Sequence, residues 1–184
     1  MSKARNPMDV YAEACNLLEA ADVRYLVIGG MGINLHSTGG GPILLTEDCD
    51  LLLPRKLDNL QRAVDALQRA GFGFQAGGEP LRPGDEVILR GILRAQACIR
   101  VTKDGSIIDL PLSATGLDFE VLWARHTRRR IDGSSVRVAP LADIVRSKME
   151  ANRPKDRLFL ETYRDRVAEM LRNQRVEPPP ELGP

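Results

Sequence analysis

The sequence has little of what several classes of protein require. Three cysteines are present and none lies in a C-x-x-C pair, which argues against a disulfide framework or a zinc cluster. Aromatic residues make up 4% of the chain, too few for a base-stacking nucleic-acid platform. The formal net charge of +1 lacks the basic excess of a protein that coats DNA. No apolar run approaches the roughly 20 residues of a membrane span.

The amino-terminal segment also lacks the continuous apolar stretch of a signal peptide, so a cytoplasmic protein is expected. What is present is an ordinary globular composition, with 43% hydrophobic and 28% charged residues in a chain of 184. That length suits one domain with a sizeable core and a small helical appendage. Free cysteine is among the most buried residue types, so Cys15 and Cys98 are expected to be small core residues.

The first third of the chain alternates helical and extended patterns. Apolar residues at helical spacing predict helices over Val10–Ala21 and Leu57–Ala70. Short apolar runs predict buried strands at Tyr25–Ile28 and at Leu51–Leu53, and a turn or two of helix is expected at Met31–His36. This alternation favours a layered α/β or α+β structure.

The middle of the chain has an extended character. Three runs of branched residues from Glu86 onward, EVILRGILR, AQACIRVTK and SIIDLPL, predict strands, the last two joined by a KDG turn. A further hairpin is predicted in RRRIDGSSVRVAP, turning at Asp132 and Gly133. These segments are expected to form a sheet joined by hairpins.

Helices return in the last third of the chain. Proline suits a first helical turn, so helices are predicted from Pro140 through Glu150 and from Pro154 to about Gln174. The predicted fold class is α+β, a mixed β-sheet flanked by helices with a C-terminal helical segment. The predicted division of the chain is an α/β domain over 1–139, packed helices over 140–175 and a disordered proline-rich tail over 176–184.

The stretch YLVIGGMGINLHSTGGGPILLTEDCDLLL allows two nucleotide-site interpretations. A dinucleotide-binding fold needs G-x-G-x-x-G between a strand and a helix, with an acid about 20 positions later. Gly30 and Gly32 imitate that spacing, but the third glycine position holds Leu35. The acids also stand at the start of the second apolar run rather than at its far end. The dinucleotide interpretation therefore fails.

The second interpretation starts from the acidic pair. Side chains two apart in a strand share a face, so Asp48 and Asp50 are expected side by side with Cys49 opposite. Crowded carboxylates suit Mg²⁺, which binds one or two carboxylates, waters and substrate phosphates. Asp109 is the only acid embedded in a later apolar strand pattern and is predicted as the third metal ligand.

The glycine pair completes this interpretation. Gly29 and Gly30 end the first strand, where backbone without a Cβ lets a triphosphate approach closely. Amides at the start of the following helix favour negative charge. The pair is therefore predicted to bind nucleotide.

Together these motifs resemble the nucleotidyltransferase superfamily of the DNA polymerase beta type, with its glycine pair, acid-x-acid strand and later lone acid. GGMGINLH, TEDCDLLLP and LADIVRSKMEANRPKDRLFLETY look most like the small bacterial nucleotidyltransferases of the abortive-infection and toxin-antitoxin kind. The matching positions are Gly29, Gly30, Thr46, Asp48, Asp50, Asp109, Lys148, Arg153 and Asp156. Many relatives carry an arginine where this chain has Leu44.

The resemblance implies a nucleotidyltransferase-like fold and a transferase that moves a nucleoside monophosphate from a nucleoside triphosphate to an acceptor. Asp48, Asp50 and Asp109 are then the catalytic and metal-binding residues, with Mg²⁺ or Mn²⁺ as cofactor. Gly29, Gly30, Thr46, Lys148 and Arg153 would bind the nucleotide. The acceptor is unknown: RNA, a protein hydroxyl or a small molecule. A protein partner is possible, and no membrane is implied.

Other interpretations stay open. Leu44 supports a non-catalytic module that keeps the fold as a binding or regulatory partner, whereas the intact acid trio argues against it. Lys148 and Asp156 also have ordinary structural uses on helices. The run Arg128–Arg130 could grip RNA but is better explained as a solvated sheet edge. His36 is interpreted as an ordinary helix-end residue, and Trp123 as a core anchor.

Overall fold

The computed structural model describes residues 5–37, 46, 48–82 and 84–176. Within these residues the strands are β1 (Leu26–Ile28), β2 (Asp48–Leu52), β3 (Gly73–Ala76), β4 (Glu79–Pro80), β5 (Ile99–Lys103), β6 (Ser106–Leu110), β7 (Thr127–Ile131) and β8 (Ser134–Val138). The helices are α1 (Pro7–Ala20), α2 (Gly29–Leu35), α3 (Leu57–Arg69), α4 (Glu86–Ala95), α5 (Phe119–Trp123), α6 (Leu141–Ala151), α7 (Pro154–Thr162) and α8 (Arg164–Val176).

The described strands form one mixed sheet in the order β4-β3-β5-β6-β2-β1-β8-β7. Strand β1 runs antiparallel to β2 and parallel to β8, while β2 runs parallel to β6. The central strands are apolar, and Val27 and Leu51 are fully buried there because helices cover both faces of the sheet. The predicted α+β class is confirmed.

The acidic strand shows how the layers are arranged. Cys49 is fully buried and points to the face covered by α1, near Tyr11. Asp50 points to the opposite face, against the first residue of α2. Helix α2 contacts α6, which contacts α7, so the C-terminal helices lie on the side of the sheet that carries the aspartates.

Two expectations about secondary structure are wrong, and one pair of strands was missed. Glu86–Ala95 is a helix rather than a strand: its buried residues Leu89 and Ile92 lie three apart, and the Asp85 side chain caps its first turn by accepting a hydrogen bond from the Val87 amide at 2.8 Å. The helix that starts at Pro154 ends at Thr162 and a second begins at Arg164. Strands β3 and β4 were not predicted, because their mixed residues show no regular alternation.

The two cysteines that were expected in the core differ in their burial. Cys15 is buried as expected, but Cys98 is exposed, because it lies in the connection between α4 and β5 rather than inside a strand. The hairpin of β7 and β8 forms as predicted and ends the sheet order, with Arg128 and Arg130 exposed on β7. In the described part of the chain, no helix combines the length and apolar character needed to cross a membrane.

Candidate active site

A cleft of about 1090 Å³ opens between the sheet and helices α6 and α7. It lies where β1 ends and β2 begins, because these strands are antiparallel and Ile28 is paired with Asp50. All the site residues predicted from the sequence line it: Gly29, Gly30, Thr46, Asp48, Asp50, Asp109, Lys148 and Arg153. The fold therefore brings together residues that lie more than a hundred positions apart.

The sheet side of the cleft carries the three aspartates. Asp48 and Asp50 share one face of β2, and Asp109 is the register partner of Asp50 on the parallel strand β6. The Thr46 hydroxyl steadies the start of the strand by donating to the main-chain oxygen of Asp48 at 2.9 Å, with the Asp48 carboxylate oxygen Oδ1 at 3.2 Å. The pairing of β2 with β6 places the third acid beside the first two.

Asp50 lies in an environment that disfavours its charge. Burial raises its pKa, the neighbouring carboxylates of Asp48 and Asp109 raise it further, and the opposing effect of Lys148 and Lys155 leaves it at about 6. Half-buried carboxylates that repel one another gain stability from a bound cation.

Gly29 is required beside Asp50 for two reasons. Its φ of +65° lies in the left-handed region that favours glycine. A Cβ at this position would also overlap the Asp50 carboxylate oxygen Oδ2. The first glycine of the pair therefore lets the backbone that begins α2 approach the acidic strand.

The helix side of the cleft carries a buried ion-pair cluster. Asp156, only 1% exposed, accepts from Arg153 Nε at 2.6 Å and from Lys148 Nζ at 3.3 Å. Burial opposes ionisation of Asp156, but these hydrogen bonds and charges prevail and lower its pKa. Lys148, Arg153 and Asp156, which were singled out from the sequence, thus form one ion-pair cluster across the turn between α6 and α7.

Two functional candidates were missed from the sequence. Arg100 binds Asp109 side-on, with Nε and Nη2 each donating to one carboxylate oxygen at 2.9 Å. Lys155 lines the cleft and acts on the charge of Asp50. Arg100 could have been found, because a two-residue turn at Asp104 and Gly105 sets the hairpin register that pairs it with Asp109. Lys155 leaves no comparable signal, since only the packing of α7 brings it near Asp50.

The predicted metal ligands are the aspartates of the neighbouring strands β2 and β6. Among the described residues, no three His, Cys, Asp or Glu side chains are grouped closely enough to hold one ion. Both carboxylate oxygens of Asp109 accept hydrogen bonds from Arg100. Asp48 and Asp50 nevertheless fit a hard cation, since Mg²⁺ needs only one or two protein carboxylates beside substrate phosphates.

Two other sequence candidates lie away from the cleft lining. His36 is buried, with Nε2 2.8 Å from the Ala139 oxygen and Nδ1 2.8 Å from Gln174 Nε2, which is a structural role. The arginines of β7 have hydrogen-bond partners on their own hairpin, such as Arg130 with the Gly133 oxygen at 2.7 Å. Leu44 lies outside the described residues.

No protein-family model matches the chain, and no curated protein matches it. Its structure is similar to that of an antigenic nucleotidyltransferase-like protein from Paracoccidioides brasiliensis, with a TM-score of 0.46 and 19% identity, over 78% of this chain and 64% of that one. It is also similar to ANT(2")-Ia in a crystal structure with adenylyl-2"-tobramycin, with a TM-score of 0.54 and 13% identity, over 89% of this chain and 93% of that one. The predicted nucleotidyltransferase-like fold is confirmed.

Proposed function

We propose that this chain transfers a nucleoside monophosphate from a nucleoside triphosphate to a hydroxyl acceptor. The observation that carries the proposal is the convergence of Asp48, Asp50 and Asp109 in one cleft. The cations of α6 and α7 line the same cleft, so it offers carboxylates for a metal and positive charge for phosphates. A binding module has no evident need for three converging acids.

Asp48 and Asp50 would hold the metal, Mg²⁺ or Mn²⁺. The raised pKa of Asp50 shows that its charged form is disfavoured in the folded chain, and a bound cation would offset that cost. Gly29 leaves room for the Asp50 carboxylate at this position. When bound, such an ion neutralises the charge on the triphosphate and positions it.

The chemical step is an in-line displacement at the α-phosphorus. The acceptor hydroxyl oxygen forms a bond to that phosphorus while the bond to the bridging oxygen of the β-phosphate breaks. Pyrophosphate leaves with the bonding electron pair, and the carboxylate of Asp109 takes the hydroxyl proton. The chain itself mainly positions the reactants and balances their charge.

The helix side would hold the triphosphate. Lys148 is 16% exposed and uses one of its three donors on Asp156, so the others can reach phosphate oxygens. Arg153 is 57% exposed and is held at the cleft by the same carboxylate. The backbone at Gly29 and Gly30, with the Thr46 hydroxyl, would contact the nucleotide from the sheet side.

The motifs in the sequence also support kinship with the abortive-infection and toxin-antitoxin nucleotidyltransferases, and with it a protein partner. The acceptor follows from none of these motifs. The neighbour ANT(2")-Ia was crystallised with an adenylylated small molecule, which adds a small hydroxyl compound to RNA and protein as acceptors to be tried.

The test is transfer of label from four α-³²P nucleoside triphosphates, with Mg²⁺ or Mn²⁺, to cellular RNA, cellular protein or tobramycin. The matched control is Asp48→Asn, which keeps the side-chain shape and removes one metal-binding charge. Metal-dependent labelling by the wild type alone is expected. Equal labelling by both proteins would contradict the assignment of Asp48. No labelling and no metal-dependent nucleotide binding would overturn the proposal.

A further inference from the structure

The contact between Arg100 and Asp109 conflicts with what the proposed reaction asks of Asp109. Each oxygen of the Asp109 carboxylate accepts one hydrogen bond from the guanidinium at 2.9 Å. The Asp109 side chain is 15% exposed, so these bonds are partly shielded from water. A carboxylate held this way cannot freely take a proton or bind an ion, and the pair must loosen before reaction.

Arg100 is placed to bind a second anion. Its side chain is 47% exposed and lines the cleft. The side-on pair uses Nε and Nη2, while Nη1 has no hydrogen-bond partner among the described residues. A guanidinium presents paired donors that match a phosphate, and Nη1 is the donor group that the pair with Asp109 leaves for one.

The other charges of the cleft favour an anionic acceptor. Of the acids that line its described part, Asp48 and Asp50 would hold the metal and Asp109 is bound to Arg100. Asp156 is buried under Lys148 and Arg153. No carboxylate is therefore left over for an ammonium group, while three exposed cations, Arg100, Arg153 and Lys155, line the cleft.

We propose that Arg100 is the acceptor-recognition residue of this cleft, binding a phosphate that the acceptor carries near its reacting hydroxyl. The inference rests on the proposed function. Binding of that phosphate draws the guanidinium off Asp109 and frees the carboxylate for the hydroxyl proton. An acceptor without a phosphate leaves Asp109 paired, and a polycationic acceptor meets repulsion instead of a partner. Through Arg100, the ability of Asp109 to take the hydroxyl proton thus depends on whether the acceptor carries a phosphate.

The kinetic test compares adenosine with AMP, which differ by one phosphate, as acceptors for the wild type, Arg100→Gln and Arg100→Lys. A short oligoribonucleotide forms a third arm, which distinguishes a free nucleotide from a strand end. The matched control is Arg94→Gln, the same change on an exposed residue of α4 outside the described cleft lining.

The wild type is expected to use AMP or the oligoribonucleotide better than adenosine. Arg100→Gln should raise KM for the phosphorylated acceptor roughly tenfold while KM for the triphosphate stays the same. Adenosine transfer should hold or rise, because Asp109 is released. Arg100→Lys should keep part of the preference for phosphorylated acceptors, and the control Arg94→Gln should keep all of it. Equal use of adenosine and the phosphorylated acceptors by the wild type, or an unchanged preference in Arg100→Gln, would overturn the proposal.

A binding measurement separates this inference from the reaction. AMP is titrated calorimetrically into each protein with the donor site saturated by a non-hydrolysable triphosphate analogue. Weaker AMP binding in Arg100→Gln than in Arg94→Gln supports the phosphate site even if no transfer is detected and the proposed function fails. Equal AMP affinity in the two variants, or absence of AMP binding to the wild type, overturns it.

Discussion

The two sides of the cleft hold their charges in opposite ways. On the helix side, Asp156 is buried and bonded to both Lys148 and Arg153, and its pKa is lowered. On the sheet side, Asp50 lies among other carboxylates and its pKa is raised to about 6. On the helix side, the folded chain itself supplies the cations that balance Asp156. On the sheet side, a cation bound from solution would stabilise the charge of Asp50.

This difference separates stability from function within one site. A carboxylate whose partners are already in place stabilises the fold, and its loss is felt in folding. A carboxylate that is crowded by like charges lowers the stability of the fold, and that cost is typical of a residue whose role is to bind a ligand. Substitutions on the two sides should therefore affect different measurements.

Asp50→Asn should have the largest effect on transfer. It removes one of the two charges of the proposed metal site, so transfer should fall by at least on the order of 10²-fold. The melting temperature without metal should stay the same or rise, because a buried, repelled charge is gone. Parallel assays of transfer and of metal-free thermal melting check this. A clear drop in the melting temperature would mean that Asp50 stabilises the fold instead.

Gly29→Ala tests the sheet side through the backbone. The new Cβ would displace the Asp50 carboxylate, and a misplacement of about 1 Å can lower a rate on the order of 10²-fold. The positive φ adds a stability cost of about 1–2 kcal/mol.

The control for this change is Gly71→Ala, whose φ is +82° but whose Cβ would meet nothing within 4 Å. It should lose similar stability in denaturant unfolding and keep full transfer. If both variants lost transfer equally, the overlap with Asp50 would not be the cause.

Asp156→Asn tests the helix side and should act mainly on stability. Replacing the carboxylate weakens charged hydrogen bonds to Lys148 and Arg153, at a cost of about 1–3 kcal/mol in the free energy of unfolding at pH 7. Because the folded pKa of Asp156 is lowered, its contribution is complete above the ordinary aspartate pKa of about 3.9 and is lost as the pH falls through the folded value.

The stability difference between wild type and Asp156→Asn should therefore be constant from pH 7 to about 5 and shrink below about pH 4. Urea unfolding at several pH values measures it. A difference that grew toward low pH would have the wrong sign for a lowered pKa.

Lys155→Gln should give the smallest effect. Lys155 lines the cleft, so its loss should raise KM for the triphosphate about two- to fivefold, as expected for one partly solvated charge, with little change in melting temperature. Arg157→Gln removes one charge from the same helix outside the described cleft lining and should leave KM unchanged. Matching KM values for the two variants would place Lys155 outside the nucleotide site.

Where a local pattern carried the information, the sequence predicted the structure well. The alternation of Asp48, Cys49 and Asp50 predicted which side chains share a face, because a strand has a period of two. The failure at α4 is also local. The segment is rich in branched residues, which are typical of strands: Val87, Ile88, Leu89 and Ile92. Leu89 and Ile92 also fit the apolar stripe of a helix, and packing against α3 favoured the helix over the strand.

The sequence by itself determined the aspartate pair, the glycine pair before it and the lone acid of a later strand, because each depends on residue type and short-range spacing. Only the tertiary structure decided that Lys155 acts on Asp50 and that Asp156 is buried beside Lys148 and Arg153. These relations depend on distances between elements, and sheet order and helix packing set such distances through burial of the whole core. The opposite pKa shifts of Asp50 and Asp156, and with them the division between a stabilising and a functional side of the cleft, follow from that packing.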